Sequence, residues 1–260
     1  MKLTNMVVFK ELLKTDLMLF KRIFIDKLIN LFIWIITMLG VNAYIMPAFG
    51  LTTEYGGFML ASILACSGLF EVTPSVSQII SDLEGDRTID YKLTLPIPSW
   101  LVFVESLVNY AFSAAAMAIL ILPVGKLILW NMFSLSSVNI VQFIVMFILF
   151  NLFYGALTLW QASFVKDMAS IENAWMRYIY PMWFLGCFQF SWDSLYQVSP
   201  VLAYLDLVNP MTYITEGTRI AILGTESSLN FWSCAAMTFL FCIFGTVHGI
   251  KRLQKRLDFV

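Results

Sequence analysis

The chain has 260 residues, of which 60% are apolar and only 13% are charged, and its formal net charge is −1. A soluble domain of this length needs more charge to cover its surface, so the composition excludes an ordinary soluble protein. Long apolar stretches recur instead, most of them near the ~20 residues that one helix needs to cross a bilayer core. The sequence therefore predicts an all-α membrane protein that forms one domain over residues 1–260.

Residues 1–27 precede the first apolar stretch and have the pattern of an amphipathic helix. Apolar side chains recur on one face and lysines form a neighbouring stripe: Met6, Phe9, Leu13, Leu17, Phe20 and Phe24 beside Lys10, Lys14 and Lys21. Such a helix lies in a membrane interface with its lysines near anionic headgroups, although Asp16 interrupts the apolar face. We favour this interfacial helix over the alternative, a simple extension of the first span.

Six apolar stretches are candidate transmembrane helices. Their predicted bounds are Leu28–Met46, Gly56–Ile80, Trp100–Leu122, Val138–Phe164, Ala174–Phe190 and Leu229–Ile250. The second contains Glu71 and the third contains Glu105 near its start. The fifth is short, rich in aromatic residues and interrupted by Pro181, so its bounds are the least distinct.

Basic residues are concentrated on one side of these spans. They lie before the first span, after the last and in the loops that follow the second and fourth: Lys2, Lys10, Lys14, Lys21, Arg22, Lys27, Arg87, Lys92, Lys166, Lys251, Arg252, Lys255 and Arg256. The opposite side has only Lys126 and Arg219. Because basic loops remain in the cytoplasm, both termini are predicted to be cytoplasmic.

The loop Ser81–Ser99 between the second and third spans is polar and then amphipathic. Thr88 is predicted to cap a short helix that begins near Ile89, and Pro96 is predicted to end it. Ile89 and Leu93 then project from one side, which suits docking in a groove on a soluble partner. An ordinary solvated loop is the alternative, and composition alone does not separate the two.

Residues 193–228, before the last span, predict short helices on the outer side. Asn209 is a good helix cap, Pro210 a good first helical residue and Gly224 a good terminator. The stretch Leu195–Val208 is too short to span and is expected to be re-entrant or to lie on the surface.

Glu216 and Arg219 lie three residues apart and are predicted to pair on one face of the helix that starts at Pro210. This helix is too polar to span a membrane, yet apolar enough to dip into one. It would act as a gate if it covers a pathway, or as a packed cap without a role in transport, and both interpretations stay open.

Motifs for bond-breaking or nucleotide chemistry are absent from the sequence. The pair Gly125-Lys126 lacks the other residues of a phosphate-binding loop, and the single histidine, His248, cannot form a His-Glu-x-x-His zinc site. The four cysteines are expected to be small buried residues. No catalytic residue, metal site or cofactor site is predicted, so uphill transport would need energy from a partner or an ion gradient.

The carboxylates of Glu71 and Glu105 are costly inside a membrane unless they are protonated or paired. Glu71 is a candidate for proton coupling, because intramembrane carboxylates often mark ion pathways. The favoured interpretation is that each carboxylate bonds to a neighbouring helix or faces a wet cavity, and Glu71 and Glu105 are also candidates for polar groups on a pathway.

The two polar segments and the span count resemble the permease subunits of type-2 ABC exporters. One motif reads acidic-Gly-x-x-Thr-x-acidic-x-x-Leu-x-x-Pro, and the other reads Asn-Pro-Met-Thr-Tyr followed by Glu and Arg. The matching positions are Glu84, Gly85, Thr88, Asp90, Leu93 and Pro96 in the first motif, and Asn209, Pro210, Met211, Thr212, Tyr213, Glu216 and Arg219 in the second. The resemblance covers the whole chain, with Asp90 standing where the family more often has glutamate.

This resemblance implies a homodimer that pairs with two separate ABC ATP-binding subunits, which would bind the ATP and magnesium. Residues 81–98 would be the coupling helix that docks on the ATPase through Glu84, Gly85, Thr88, Ile89, Asp90, Leu93 and Pro96, and residues 1–27 would be a connecting helix. The outer gate would consist of Asn209, Pro210, Tyr213, Glu216 and Arg219. The chain would not be an enzyme by itself.

The resemblance also implies an amphipathic cargo, namely a lipid, a lipid-linked glycan or a drug, and a bacterial inner membrane as the location. Membrane lipids are expected partners, and a nucleic acid is not.

Two alternatives belong to other classes. One is a secondary transporter that uses Glu71 and a proton gradient without a partner. The other is a membrane-embedded enzyme that modifies lipids, which needs polar catalytic groups clustered at one interface. Only Glu71, Glu105 and His248 are candidates for such a cluster. A neighbouring gene for an ATPase with a phosphate-binding loop would favour the exporter.

Overall fold

The computed structural model describes residues 3–50, 52, 54–224 and 227–257, and the elements within these ranges are all helical. The α-helices are α1 Leu3–Leu39, α2 Tyr55–Cys66, α3 Leu69–Glu84, α4 Thr88–Thr94, α5 Ser99–Leu129, α6 Ile140–Ala162, α7 Ile171–Ala174, α8 Tyr180–Leu185, α9 Trp192–Val198, α10 Pro200–Asp206, α11 Pro210–Leu223 and α12 Phe231–Leu257. Five segments in these ranges are long and apolar enough to cross a membrane: Asn5–Phe49, Tyr55–Glu84, Ser99–Met132, Ile140–Ala162 and Phe231–Leu257.

The first span is continuous with the amphipathic residues that precede it. α1 contains neither proline nor glycine, so nothing ends the helix between Leu3 and Leu39. It continues through π-helical turns over Gly40–Ile45 and a 3₁₀ turn over Met46–Phe49. Residues 1–27 were predicted to form a separate interfacial helix, but the described part of that segment extends the first span. The 37 residues of α1 extend about 55 Å, so one end projects beyond a bilayer core of about 30 Å.

The second span is broken between α2 and α3 at Gly68. A Cβ atom at Gly68 would lie 2.0 Å from the Tyr154 ring of α6, so only glycine allows this approach. The Tyr154 hydroxyl donates a hydrogen bond to the Ala65 carbonyl in the last turn of α2. The aromatic ring of α6 therefore fills the break and bonds to a helix end.

The predicted fifth span, Ala174–Phe190, is shorter than a span needs to be. α7, a π-helical segment over Trp175–Ile179 and α8 follow one another with 4, 5 and 6 residues. Together they extend only about 22 Å, less than the bilayer core. The prediction of six spans is therefore confirmed only in its coarser form, an all-helical chain with five helices of spanning length.

α6 lies at the centre of the bundle and contacts α3, α5, α11 and α12. Its residues Phe150, Tyr154 and Leu159 belong to a buried core that also includes residues of α1, α2 and α12. Large apolar side chains are exposed on the outer surface of the bundle, as lipid-facing positions require: Ile33, Ile36, Ile119, Ile148 and Phe244 are examples.

The two polar segments singled out in the sequence lie at opposite ends of this bundle. α4 connects the end of α3 to the start of α5, and α11 packs against α2 and the first turns of α6 and α12. We refer to these as the α4 end and the α11 end.

Candidate functional site

α4 is fixed to the preceding helix by one carboxylate. Asp82 of α3 accepts hydrogen bonds from the backbone N–H groups of Thr88 and Ile89, at 2.9 Å and 2.8 Å. The prediction that Thr88 caps this helix is wrong, because Thr88 is its first residue and Asp82, six residues earlier, supplies the acceptor. The predicted end is confirmed: α4 ends at Thr94, and the backbone is extended at Leu95, before Pro96.

The apolar side chains of α4 point into the protein. Ile89 and Leu93 pack against the buried core, although the sequence suggested that they project towards a partner. The outward face instead carries Thr88, Tyr91 and Thr94, and 66% of the Tyr91 surface is exposed.

The other predicted docking residues lie at the rim of α4. Glu84 is exposed and accepts a hydrogen bond from the backbone N–H of Met168 at 3.3 Å, while Gly85 and Pro96 are exposed. Asp90 is half-buried and lies 3.9 Å from the Arg87 guanidinium. The structure therefore brings the first predicted set together around one helix, with two of its members turned inward.

Lys92 joins α4 to two spans. Its ammonium donates to the Asp16 carboxylate of α1 at 2.9 Å and to the Glu105 carboxylate of α5 at 3.4 Å. Burial alone would lower the pKa of Lys92, but the carboxylates of Glu105 and Asp16 outweigh it and raise that pKa above its ordinary value. Asp16, which interrupts the apolar face of α1, thus serves as a partner for α4.

Lys92 and Asp16 border a small cavity of about 160 Å³ that Asp82, Asn109 and Tyr110 also line. The Glu105 side chain has no exposed surface. Its second carboxylate oxygen has no hydrogen-bond partner within the described residues. A cavity of this size has room for water molecules beside Lys92 and Asp16.

A second ion pair connects α1 to α3. The Lys27 ammonium donates a hydrogen bond to the Glu71 carboxylate, and the two side chains are 19% and 18% exposed. The pair borders a surface cavity of about 420 Å³ that also contains Asn30, Trp34 and Phe70. Glu71 is thus paired with a neighbouring helix and also faces a cavity.

Aromatic rings continue from this cavity towards α8. The centroid of Phe70 lies 4.8 Å from that of Trp34, 6.1 Å from that of Trp175 and 5.2 Å from that of Trp183. These side chains come from α1, α3, the π-helical segment and α8, so they form one aromatic surface beside the Lys27–Glu71 pair.

The helix signals at the α11 end are confirmed. The Asn209 side chain accepts a hydrogen bond from the Met211 N–H at 3.0 Å, Pro210 is the first residue of α11, and Gly224 ends it with φ +64°. Asn209 also donates to the Met182 carbonyl at 3.0 Å, and the Tyr213 hydroxyl donates to the Leu207 carbonyl at 2.9 Å.

Arg219 forms the most extensive polar network among the described residues. Its guanidinium donates to the Glu216 carboxylate at 2.9 Å, confirming the predicted pair, and to the Ser62 hydroxyl at 2.8 Å. It also bonds to backbone carbonyls of Cys187, Phe188 and Phe190. Its carbon Cζ lies 3.7 Å from the centre of the Phe58 ring.

Glu216 completes this network. Its carboxylate accepts a hydrogen bond from the backbone N–H of Trp192 at 2.8 Å and one from the Ser227 hydroxyl at 3.3 Å. Glu216 and Arg219 are both buried, with 2% exposure each. The paired charges therefore fasten α11 to α2, to the turn after α8 and to the start of α9.

α9 and α10 form a helical hairpin that covers most of the stretch predicted to be re-entrant. Serine side chains cap both helices, Ser191 for α9 and Ser199 for α10. Asp206 points inward and accepts a hydrogen bond from Thr212 at 2.8 Å. Burial raises the pKa of Asp206 above its ordinary value despite its hydrogen bonds. Apolar side chains are exposed on the hairpin: Val198, Val201, Leu202, Leu205 and Val208.

The fold and these clusters define an all-helical membrane protein with polar junctions at both ends of its bundle. A comparison with models of protein families, with curated proteins and with solved structures finds no match.

Sequence reasoning had missed several of the residues that build the junctions. In the sequence, Lys92 and Lys27 stand only among the basic residues of one side, Asp16 only interrupts an apolar face, and no pattern marks Asp82. A charged residue on an otherwise apolar helix face is the one local signal that could have marked Asp16 as a partner.

Proposed function

We propose that this chain is the membrane-spanning subunit of an ATP-driven ABC exporter, in which two copies pair with two ATP-binding subunits and move an amphipathic cargo. The observation that carries this proposal is the position of Lys92. One face of α4 is exposed around Tyr91, while Lys92 on the other side is bonded to α1 and α5. A short helix of this kind is suited to transmit a displacement by a docked partner to the spans α1 and α5.

In this proposal the α4 end is cytoplasmic and both termini lie there, because the basic residues cluster on that side. The membrane is a bacterial inner membrane. The short helical stretch from Ile171 to Leu185, extended by the turn before α9, acts as the fifth of six spans in chain order. The ATP-binding subunits dock on the Thr88–Tyr91–Thr94 face and on the N-terminal turns of α1.

ATP-driven closure of the partner shifts α4, and the Lys92 contacts transmit the shift to α1 and α5. At the opposite end, the Arg219–Glu216 network supports a gate, since it fastens α11 across α2 and the turn after α8. Opening requires this network to move as a unit, because an arginine separated from its carboxylate would remain buried and unpaired.

Glu71 is already engaged with Lys27. This pair weakens the alternative in which Glu71 alone carries a coupling ion.

The test is transport in proteoliposomes that contain this chain with the ATPase encoded next to it. We expect uptake of a fluorescent amphipathic probe that requires ATP and that vanadate abolishes. Liposomes with the chain alone are the control. Uptake by the chain alone, driven by a proton gradient, would refute the proposal.

Thiol labelling tests the orientation. With the native cysteines replaced, a cysteine at Thr88 should react with an impermeant maleimide only after cells are opened, whereas one at Asn230 should react on intact cells. Labelling of position 88 on intact cells would place α4 out of reach of a cytoplasmic ATPase.

A further inference from the structure

The cavity beside Lys27 and Glu71 has an ordered polarity along the helix axis. On α1, Lys27 lies nearest the α4 end, and Trp34 lies seven residues further along, which is about 10 Å towards the middle of the bundle. On the other wall, Glu71 lies between Pro74 on the side of the α4 end and Phe70, with Ser67 before the start of α3. The cavity therefore has an ionic part at Lys27 and Glu71 and an aromatic part at Phe70 and Trp34.

This gradient matches the shape of a membrane lipid that enters with its headgroup at the α4 end. The headgroup would lie beside the ion pair, and the first part of an acyl chain would lie against Trp34, Phe70 and Met117. A volume of about 420 Å³ is within the range of ligand sites in proteins. The site lies on the outer surface of α1 and α3, so a lipid could reach it from the bilayer.

The ion pair selects among headgroups. A ligand with a single charge would draw either Lys27 or Glu71 away from its partner and leave the other unpaired in a poorly solvated site. A headgroup with both charges avoids this, since a phosphate accepts from Lys27 while an ammonium donates to Glu71. The exposed amide of Asn30 is a further donor for the phosphate.

We propose that this cavity binds a phospholipid whose headgroup carries a phosphodiester and a primary amine, as in phosphatidylethanolamine. The inference rests on the proposed function in naming this lipid class as cargo, but the binding itself is measurable without an ATPase. The ammonium of the lipid headgroup would also lie near the rings of Trp34 and Phe70, whose faces stabilise a cation.

The experiment uses the full-length chain in nanodiscs with a trace of phosphatidylethanolamine that carries a diazirine in its acyl chain. Crosslinks are mapped by mass spectrometry, and the expected adducts lie on Trp34 and on residues 67–70. We expect Lys27→Met and Glu71→Gln each to reduce the crosslinking yield about tenfold, which corresponds to 1.4 kcal/mol. The double exchange Lys27→Glu with Glu71→Lys should retain most of the yield.

Lys14→Met is the matched control, because Lys14 forms only an exposed pair with Glu11 at 3.7 Å, and its yield should not change. Unmodified phosphatidylethanolamine should compete in the unmodified chain, whereas soluble glycerophosphoethanolamine should compete weakly. This competition experiment uses only the unmodified chain, so its result does not depend on whether a variant folds. Strong competition by the soluble headgroup would overturn the assignment to a lipid.

Equal crosslinking of a diazirine phosphatidylglycerol at the same residues, or of a cationic amphiphile, would overturn selection by two charges. If the adducts form but no ATPase supports transport, the inference that the cavity binds this lipid is supported and the exporter proposal fails. If ATP-driven transport occurs and no adduct forms in the cavity, the exporter stands and this inference fails.

Discussion

The ammonium of Lys92 lies 3.4 Å from the carboxylate of Glu105, a side chain with no exposed surface. Lys92 belongs to a short helix between two spans, whereas Glu105 lies inside a span, so the contact joins a peripheral element to the bundle. Asp16 of α1, at 2.9 Å, gives the same ammonium a second carboxylate. One lysine therefore connects the three helices α1, α4 and α5.

Replacement of this lysine should loosen α4. Lys92→Met leaves the buried Glu105 without a cation, and we expect the free energy of unfolding to fall by about 2 kcal/mol. The double variant Lys92→Met, Glu105→Gln should recover part of this loss, because a neutral amide is less costly to bury than an unpaired charge. Thermal unfolding of the purified chain in detergent measures both. Equal stability of the single and double variants would contradict the pairing.

The same contact predicts a loss of stability at alkaline pH. The pKa of Lys92 is raised in the folded chain, so its contribution is fully present below the unfolded pKa of about 10.4 and is lost as the pH rises through the higher folded value. The difference in stability between the unmodified chain and Lys92→Met should therefore shrink as the pH rises above about 10. A difference that shrinks below pH 9 would show that the lysine loses its proton more easily in the folded state. Thermal unfolding at a series of pH values measures this difference.

The two faces of α4 should respond differently to substitution. Tyr91→Asp changes an exposed side chain, so the chain should fold normally but co-purify with the ATPase of the proposed complex at no more than about a tenth of the usual yield. Leu93→Asp places a charge against the buried core and should reduce the yield of folded chain itself. Size-exclusion chromatography separates loss of docking from loss of folding. Normal co-purification of Tyr91→Asp would mean that the partner does not meet this face.

The Arg219 network should be intolerant even of lysine. Arg219→Lys keeps the charge but cannot reach Glu216, Ser62 and three backbone carbonyls together, and we expect a loss of about 3 kcal/mol. The control is Arg87→Met, because the exposed Arg87–Asp90 pair should contribute less than about 0.5 kcal/mol. Unfolding midpoints in detergent give both values. A small effect of Arg219→Lys would indicate that the network is loose.

Local signals predicted the helix ends well, because caps act within a few residues. Asn209, Pro210 and Gly224 define α11 as expected, and the stop before Pro96 is where the backbone constraint places it. The predicted fifth span, Ala174–Phe190, had no such signals at its ends, because the segment around Pro181 is both apolar and short.

Contacts between distant segments were not readable from the sequence at all. The sequence could not show that Ile89 and Leu93 face inward, since an amphipathic helix looks the same whether its apolar side meets a partner or its own core. It also could not pair Lys92 with Asp16, 76 residues away. These pairings depend on how the spans pack, which periodicity does not encode.

The break in the second span gives the last prediction. Gly68→Ala would place a methyl group 2.0 Å from the Tyr154 ring, and α6 is held there by core contacts on several sides, so the ring has little room to retreat. We expect a loss of about 2 kcal/mol from overpacking.

Tyr154→Phe removes only the hydrogen bond to the Ala65 carbonyl and should cost about 1 kcal/mol. Combining Gly68→Ala with Tyr154→Leu should recover much of the first loss, since a smaller side chain vacates the space that the methyl group needs. Thermal unfolding of the three variants decides between a steric and a polar role for Tyr154. If the combined variant is less stable than Gly68→Ala alone, the ring stabilises the break by filling it, and relief of the steric contact does not offset the loss of the ring.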